Sequence, residues 1–483
     1  MNKQLKRVST VVLLMFIALF ASSSIIQVFA ADDLKANSRN SRTLFASFSA
    51  QRGSILVAGD EIAHSEEVDD DYKYQRVYED GRLYAPATGY FSINQGTGVE
   101  GALNDYLTGT ANAQFLDQVG SVFSGQDPKG ASVSLTLDPD VQKVAYDALG
   151  ENNGAVIAID PKTGRILAMV SKHSYDPNDL AVHSNKGVQT KYDELLANPD
   201  QPLINRTISG DLYFPGSTFK LVMTAAALES GKYTADYEFP NPATLQLPQS
   251  DAIINNAEGG ACGGTETATI ASALKFSCNI PFAELGQELG YDAINAQAQK
   301  FGFGSSIAVP MKSTPSVFPQ TDSDAQLMLA SFGQNNVRVT PLQMAMVSAA
   351  VANGGTLMQP TLVDQIIAPD LSIVKGFEPV VYSNPISAQT AATMTTMMVD
   401  DVASGFASNA TISGVDVAGK TGTAENGGDA PFTLWFTGFA PANNPEVAIA
   451  VVLENGGGQG QSGVGNTLAA PIAKKVIEAV LDK

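Results

Sequence analysis

The sequence is poor in the residues that metal and histidine chemistry require. It has three histidines, two cysteines and one tryptophan in 483 residues. Structural zinc sites are built from Cys and His ligands, so these counts leave little for one. A nucleophile in this chain is expected to rely on a base other than histidine. Lys and Arg total 29 against 49 Asp and Glu, and this net charge of −20 argues against a general nucleic-acid binder.

One apolar run near the N-terminus predicts a membrane anchor. Three basic residues among the first seven precede Val11–Phe29, which holds no charge. About 20 helical residues span the roughly 30 Å hydrocarbon core. The basic residues before the run, with Asp32 and Asp33 after it, place the N-terminus in the cytoplasm and the body outside. A cleaved signal peptide is the alternative, because Val28-Phe29-Ala30 resembles a cleavage site, but the length of the run favours an uncleaved anchor.

The rest of the chain divides into two regions. Residues 32–150 are polar, and we expect irregular structure with strand and turn fragments at 52–56, 82–84 and 89–91. The acidic stretch Glu66–Asp71 lacks calcium-loop spacing and is interpreted as a solvated loop. From residue 151 onward the apolar runs lengthen. The predicted domains are therefore an anchor over 1–31, an N-terminal domain over 32–150 and a main domain over 151–483.

The main domain carries strand patterns at both ends of its sequence and helical patterns between them. Apolar runs at 155–159 and 166–170, joined by the turn Asp160–Gly164, predict a hairpin. Three more strands are expected at 417–423, 432–439 and 446–453, and helices at 219–228, from Thr340 onward and at 467–481. The economical solution is an α+β fold, with one mostly antiparallel sheet and helices on both faces.

The pattern Ser-x-x-Lys places a nucleophile and a base one helical turn apart on one face. The chain contains three copies, which are Ser217/Lys220, Ser272/Lys275 and Ser372/Lys375. Ser217 follows the turn Phe214–Gly216 and opens an apolar helix, where free N–H groups stabilise developing negative charge. The copy at 372–375 is expected to be a strand, with its two side chains on opposite faces. Ser272 lies inside a predicted helix, where its hydroxyl would bond the backbone.

Two other short motifs also recur. Ser-x-Asn begins at Ser38, Ser92 and Ser277, and only Ser277-Cys278-Asn279 falls in the helical middle, where a helix ends in a loop. Lys-Thr-Gly begins at Lys162, where the hairpin turn explains it, and at Lys420. The segment Lys420-Thr421-Gly422-Thr423 predicts a strand, in which Lys420 and Gly422 share one face and the threonines share the other. Gly422 would permit close approach of a ligand backbone.

Two patterns in the chain resemble binding sites, one for a dinucleotide and one for a metal, but their sequence context argues against both. Gly458–Gly463 matches the dinucleotide-binding pattern G-x-G-x-x-G, but the chain leaves no room for the second parallel strand, so a flexible loop is favoured. Cys262 and Cys278 have no histidine near them in sequence. A disulfide between them is favoured over free thiols, and it would brace the loop that carries Ser277.

The motifs Ser217/Lys220, Ser277/Asn279 and Lys420–Thr423 occur in this order, and the trio resembles the active-site signature of penicillin-binding proteins and serine β-lactamases. The resemblance to class B penicillin-binding proteins extends over about residues 133–483. The matching segments are Leu135–Asp138, Gly154–Asn178, Asn205–Lys220, Gly333-Gln334, Thr340–Gln343 and Gly419–Ala424. Upstream, Arg52–Ile55 and Gly98–Glu100 resemble the pedestal domain of that class. The chain is most similar to the short, division-associated enzymes of high-GC Gram-positive bacteria.

This resemblance implies a transpeptidase fold, with a five-stranded, mostly antiparallel sheet above a β-rich, non-catalytic pedestal. It implies that Ser217 is the acylated nucleophile, Lys220 its base, Ser277 a proton relay and Asn279 a ligand of the substrate amide. It also implies that Lys420 and Thr423, with Thr421 and Gly422 in the same strand, bind the terminal carboxylate of a D-Ala-D-Ala stem. The N–H groups of Ser217 and Thr423 would form the oxyanion hole. No cofactor or metal is implied.

Three functions are open at this point. The first is a membrane-anchored D,D-transpeptidase for cell-wall synthesis, with a septal role, inhibited by β-lactams. The second is a hydrolase, either a D,D-carboxypeptidase or a β-lactamase, and the third is a penicillin-sensing or scaffold domain. The anchor and the pedestal favour cross-linking. The implied partners are peptidoglycan stem peptides, a SEDS-type glycan polymerase, other divisome proteins and the cytoplasmic membrane. Nucleic acid is not expected as a partner.

Overall fold

The computed structural model describes residues 2–26, 48, 50–70, 72–93, 95–111, 114, 129–256 and 259–482. The α-helices in these residues are α1 Asn2–Ser24, α2 Gly81–Thr88, α3 Gly98–Ala102, α4 Asn104–Leu107, α5 Pro139–Leu149, α6 Asn185–Ala197, α7 Lys220–Glu229, α8 Ile270–Lys275, α9 Ile280–Leu289, α10 Tyr291–Lys300, α11 Asp324–Ala330, α12 Pro341–Ala352, α13 Ala388–Ser404 and α14 Gly465–Leu481.

The strands are β1 Ile55–Val57, β2 Asp60–Glu67, β3 Tyr74–Tyr78, β4 Ser132–Leu135, β5 Gly154–Ile159, β6 Ile166–Lys172, β7 Glu238–Pro240, β8 Thr244–Gln246, β9 Ile253–Asn255, β10 Thr267–Thr269, β11 Leu357–Met358, β12 Val363–Ile367, β13 Ile373–Gly376, β14 Val381–Ser383, β15 Ala418–Ala424, β16 Thr433–Ala440 and β17 Val447–Leu453. The candidate cleavage site at 28–30 and residue 71 of the acidic stretch lie outside the described residues.

The main domain is built on a five-stranded sheet in the order β15-β16-β17-β5-β6. Every neighbouring pair in it is antiparallel. The predicted hairpin is the β5–β6 pair, and the three predicted C-terminal strands are β15, β16 and β17. The α+β sheet expected from the sequence is therefore confirmed, and its strand β15 lies at the edge.

Alternate residues of the central strands face two separate apolar cores. Ala155 and Ile157 of β5 belong to one core, and Val156 and Ala158 belong to the other. The helix α12 packs on the first face, whereas α5 and α14 pack on the second. This two-sided burial explains why the strands are nearly continuous apolar runs. Helices on both faces were predicted and are present.

The pedestal contains a six-stranded sheet in the order β13-β12-β4-β1-β2-β3. Strand β1 pairs parallel to β4 and antiparallel to β2. Strands β12 and β13, which come from residues 363–376, extend this sheet through pairing of β12 with β4. The sheet thus joins two parts of the chain that are far apart in sequence.

One local prediction in the pedestal is wrong. Residues 82–84 were expected to be a strand or turn fragment, but they lie in α2. Tyr84, Ala85 and Ala87 are buried, and the helix packs on β6 and α3. Gln142 of α5 donates to the carbonyl oxygen of Leu83 at 2.9 Å. Tertiary contacts with β6, α3 and α5 therefore favour this conformation, which the short local pattern does not reveal.

The two pedestal segments that resemble class B proteins meet in a buried ion cluster. The Nε of Arg52 lies 2.6 Å from one carboxylate oxygen of Glu100, and the Nε of Arg76 lies 2.6 Å from the other. All three side chains are almost fully buried. Burial acts to raise the pKa of Glu100, but the two guanidinium groups outweigh it and hold that pKa below its usual range.

The N-terminal run forms a helix, as predicted. Lys3–Ser24 is 22 residues long and apolar enough to cross a membrane, and none of it is buried against the rest of the described chain. At 1.5 Å per residue this length matches the hydrocarbon thickness of a bilayer. A signal sequence would look the same by these measures.

Candidate active site

Ser217 lies where an irregular segment turns into helix. Gly216–Phe219 form one 3₁₀ turn that runs directly into α7, so Ser217 precedes the α-helix instead of occupying its first turn. The Nζ of Lys220 lies 3.0 Å from the Oγ of Ser217. Lys220 is completely buried, and Ser217 is partly exposed. The predicted pair of nucleophile and amine is therefore in direct contact.

The second motif reaches the same amine from another element. The helix α8 ends at Lys275, and Ser277 adopts a left-handed backbone conformation with φ 54° before α9 begins. The Nζ of Lys220 lies 2.7 Å from the carbonyl oxygen of Ser277, 3.5 Å from its Oγ and 2.9 Å from the Oδ1 of Asn279. The hydroxyls of Ser277 and Ser217 thus both lie within 3.5 Å of the same amine.

These contacts suit Lys220 in its neutral form. A carbonyl and an amide oxygen can only accept, so Ser277 and Asn279 take up the two N–H groups of a neutral amine. Its lone pair is then left for the hydroxyl proton of Ser217. Burial, and secondly the charge of Lys420, lower the pKa of Lys220 well below its usual value, while Asp401 acts in the opposite direction. The arrangement can therefore take a proton from Ser217.

The third motif forms one wall of the same site. Strand β15 packs against the Ser217 turn, and a Cβ built on Gly422 would lie 2.9 Å from the carbonyl oxygen of Pro215. A Cβ on Gly216 would lie 3.2 Å from the carbonyl oxygen of Thr423. In an antiparallel strand, the N–H and C=O groups of one residue point to the same side. The N–H of Thr423 therefore faces the Ser217 turn.

The threonines of β15 have different partners. The Oγ1 of Thr421 donates to the carbonyl oxygen of Phe406 at 2.9 Å, so this hydroxyl is tied to the segment after α13. The Oγ1 of Thr423 accepts from the N–H of Gly465 at 3.2 Å and stays partly exposed. Lys420 is fully buried. The structure thus brings Lys420 and Thr423 to the site and anchors Thr421 beside it.

Asp401 is a member of this site that sequence reasoning missed. Its Oδ2 lies 3.1 Å from the Nζ of Lys420, and neither side chain is exposed. Burial raises the pKa of Asp401, while Lys420 and the N–H groups of Ala407 and Phe406 act against that rise. Nothing in the sequence distinguishes Asp401 from its neighbour Asp400, which is exposed.

A second missed group supports the loop that carries Ser277. The Oδ1 of Asn256 accepts from the N–H groups of Asn279 and Ile280 at 2.9 and 3.2 Å. Asn256 donates in turn to Asn241, which bonds the carbonyl oxygen of Cys262. The predicted Cys262–Cys278 disulfide is present and joins the same loop. Covalent and hydrogen-bonded links therefore both fix the start of α9.

Three motifs that are distant in sequence thus meet around the Ser217 turn. A model described as the penicillin binding protein transpeptidase domain matches residues 154–478. The chain belongs to this family. A second model, described as the penicillin binding protein A dimerisation domain, matches residues 52–133.

Relatives in this family match over the full length of the chain. The peptidoglycan D,D-transpeptidase PbpA of Mycolicibacterium smegmatis is 40% identical over 493 residues, covering 100% of this chain and 99% of its own. PbpA of Mycobacterium tuberculosis is 40% identical over 498 residues, with the same coverage. The predicted likeness to class B enzymes of high-GC Gram-positive bacteria is confirmed.

Solved structures of the family agree with the fold. Penicillin-binding protein A from M. tuberculosis, solved as a ceftriaxone acyl-enzyme complex, superposes with a TM-score of 0.86 at 38% identity, covering 90% of this chain and 100% of that one. The transpeptidase domain from Eggerthella lenta gives a TM-score of 0.77 at 32% identity, covering 90% and 99%.

The other copies of the short motifs lie elsewhere. The hydroxyl of Ser272 donates to the carbonyl oxygen of Thr269 inside the helical segment, as predicted. Residues 373–376 form the exposed strand β13. Lys162 lies in the β5–β6 turn, and Gly458–Gly463 form short 3₁₀ turns between β17 and α14. Ser92 lies in the pedestal, and Ser38 is outside the described residues.

Proposed function

We propose that this chain is a peptidoglycan D,D-transpeptidase that works through an acyl-enzyme on Ser217. The observation that carries the proposal is the contact of Ser217 Oγ with a buried amine whose N–H groups are already engaged. In the first step, Oγ attacks the carbonyl carbon between the two D-Ala residues of a stem peptide, and the Ser217 proton passes to Lys220. The C–N bond then breaks, and that proton passes through Ser277 to the amine of the departing D-Ala.

The second step regenerates the enzyme. An amine on a neighbouring stem attacks the ester carbonyl, the C–O bond to Ser217 breaks, and a proton from the attacking amine returns to Ser217 through Lys220. Lys420 and Thr423, with Thr421 and Gly422 in the same strand, would hold the terminal carboxylate, and Asn279 would orient the stem amide. The N–H groups of Ser217 and Thr423 would stabilise the oxyanion, each contributing about 3–4 kcal/mol in known cases.

β-Lactams are proposed as inhibitors that acylate the same hydroxyl. Penicillin-binding protein A from M. tuberculosis has been solved as acyl-enzyme complexes with ceftriaxone, imipenem and penicillin G. The chain shares that fold over nine-tenths of its length. Attack on the lactam carbonyl opens the ring and leaves no small leaving group to depart, so the acyl group is expected to persist.

Cross-linking is favoured over hydrolysis by the architecture around the site. The apolar helix α1 and the pedestal are parts that a freely diffusing hydrolase would not need. The full-length relatives are described as D,D-transpeptidases. With un-cross-linked peptidoglycan strands as substrate, mass spectrometry of the products should show cross-linked stems and free D-Ala. Shortened stems without cross-links would instead indicate a carboxypeptidase.

The cellular role is proposed as septal wall synthesis with the catalytic domain outside the cytoplasmic membrane. The basic residues before α1 and the acidic residues after the apolar run support this orientation. The pedestal and α1 would contact a SEDS-type glycan polymerase and other divisome proteins. A fluorescent fusion should concentrate at the septum, and replacing residues 1–31 by an unrelated membrane helix should abolish crosslinking to the polymerase in membranes. Uniform side-wall fluorescence would contradict the septal role.

A further inference from the structure

The site contains two buried lysines with different surroundings. Among the described residues, the hydrogen bonds of Lys220 Nζ go only to neutral oxygens, which are the hydroxyls of Ser217 and Ser277, the carbonyl of Ser277 and the amide of Asn279. Lys420 instead lies 3.1 Å from the carboxylate of Asp401. Neither the Nζ of Lys420 nor the Oδ2 of Asp401 makes a hydrogen bond to any other described residue. The carboxylate of Asp401 thus contacts the amine of Lys420 and not that of Lys220.

Asp401 also fixes the backbone beside β15. Its Oδ1 accepts from the N–H of Ala407 at 2.9 Å. The carbonyl oxygen of Phe406, one residue earlier, accepts from Thr421 Oγ1 at 2.9 Å. A Cβ on Gly405 would lie only 2.7 Å from Asp401 Oδ1, so the turn after α13 closes tightly around this carboxylate. Asp401 is therefore linked to β15 in two ways. It contacts Lys420 directly, and it holds the turn whose Phe406 carbonyl bonds Thr421.

We propose that Asp401 is a positioning residue that keeps the proton on Lys420 and so leaves Lys220 free to act as the base. Two buried ammonium groups close together repel each other, and a single carboxylate in contact with one of them decides which stays charged. The inference rests on the proposed function. Lys220 on α7 is the titratable group that faces this pair, and the N–H groups of Phe406 and Ala407 face Asp401.

The test is the pH profile of acylation of the full chain by labelled penicillin. Plotted against pH, the wild-type second-order rate constant should follow a bell-shaped curve, because a neutral Lys220 and a charged Lys420 are both required. The acid limb of this curve reports Lys220 and the alkaline limb reports Lys420. The substitution Asp401→Asn removes a negative charge that favours protons on both amines. Both limbs of the pH profile should therefore move to lower pH.

Two variants separate this role from a merely structural one. Asp400→Asn removes the same charge from the exposed neighbour on α13 and should leave rate and profile unchanged. Asp401→Glu keeps the charge and should return both limbs of the pH profile toward their wild-type positions, even where added bulk lowers the rate. If the pH profile of Asp401→Asn had both limbs at the wild-type positions, the proposal would be overturned, whereas acylation of Ser217 would stand.

A measurement on the wild-type chain keeps the proposal testable where Asp401→Asn does not fold. The side-chain ¹⁵N signals of lysine distinguish ammonium from amine, and Lys420→Arg assigns the signal of residue 420 by its loss. At the pH at which acylation is fastest, the Lys420 signal should be that of an ammonium, and the Lys220 signal should be that of a neutral amine. A neutral Lys420 beside a charged Lys220 would overturn the assignment.

Discussion

The Nζ of Lys220 donates to the main-chain carbonyl oxygen of Ser277 at 2.7 Å. The base of the first motif is therefore held by the backbone of the second. That carbonyl is aimed by the left-handed conformation of Ser277, which the adjoining disulfide at Cys278 and the start of α9 keep in place. The reactive hydroxyl is thus activated by a geometry that no one segment supplies alone.

Lys220→Arg should slow acylation strongly, because a guanidinium stays protonated and cannot accept the Ser217 proton. Loss of the general base should lower the acylation rate by about 10²–10⁴-fold. In the wild type, the rate should fall as pH drops through the lowered pKa of Lys220, since protonation consumes the lone pair. Both effects are measured with labelled penicillin.

Lys275→Arg is the matched control, because Lys275 ends a second Ser-x-x-Lys pattern whose serine hydroxyl bonds the carbonyl oxygen and the hydroxyl of Thr269. We expect it to acylate at the wild-type rate. Acylation of Lys220→Arg within tenfold of the wild type would mean that another group acts as the base.

Gly422→Ala should separate β15 from the Ser217 turn. The new Cβ would meet the carbonyl oxygen of Pro215 at 2.9 Å and Thr218 Cγ2 at 3.2 Å, so one of the two segments must shift. Overpacking of this kind costs about 1–3 kcal/mol. Small displacements of reacting groups lower rates steeply, so acylation should fall by about tenfold or more.

Gly376→Ala provides the comparison, because the nearest atom to its Cβ would be 3.9 Å away, on the exposed strand β13. Its acylation rate should equal that of the wild type. If both variants acylated equally fast, contact between β15 and the Ser217 turn would not matter for reactivity.

Glu100→Gln should destabilise the pedestal by leaving Arg52 and Arg76 buried without a counter-charge. Breaking a buried pair costs about 3–5 kcal/mol of unfolding free energy. Because the pKa of Glu100 is lowered on folding, its stabilising contribution is fully present above the unfolded value of about 4.3. It declines as pH falls below that value and is lost as pH falls through the lower folded value. Urea unfolding at pH 7 and pH 4 measures both effects.

The difference in unfolding free energy between the wild type and Glu100→Gln should therefore be smaller at pH 4 than at pH 7. Glu67→Gln, at an exposed position of β2, should change stability by no more than about 0.5 kcal/mol. Equal unfolding free energies of the wild type and Glu100→Gln at pH 7 would show that the ion cluster does not stabilise the pedestal.

The sequence predicted those parts of the molecule that are encoded locally. The β5–β6 hairpin follows from two apolar runs and a turn. The place of Ser217 after a turn, at the start of a helix, distinguishes it from Ser272 within a helix and from Ser372 in a strand. The pairing of β12 with β4 was not predicted, because strand pairing across distant segments leaves no local pattern. Asp401 was missed for the same reason, since only the fold places it on Lys420 and leaves Asp400 in solvent.

The central claim is that Ser217 Oγ becomes covalently acylated, and mass spectrometry of the penicillin-treated full chain tests it most directly. We expect one adduct per chain, on the peptide that contains Ser217. Ser217→Ala should carry none, and Ser272→Ala should carry the same adduct as the wild type. An adduct on another peptide, or an unchanged adduct in Ser217→Ala, would contradict the account.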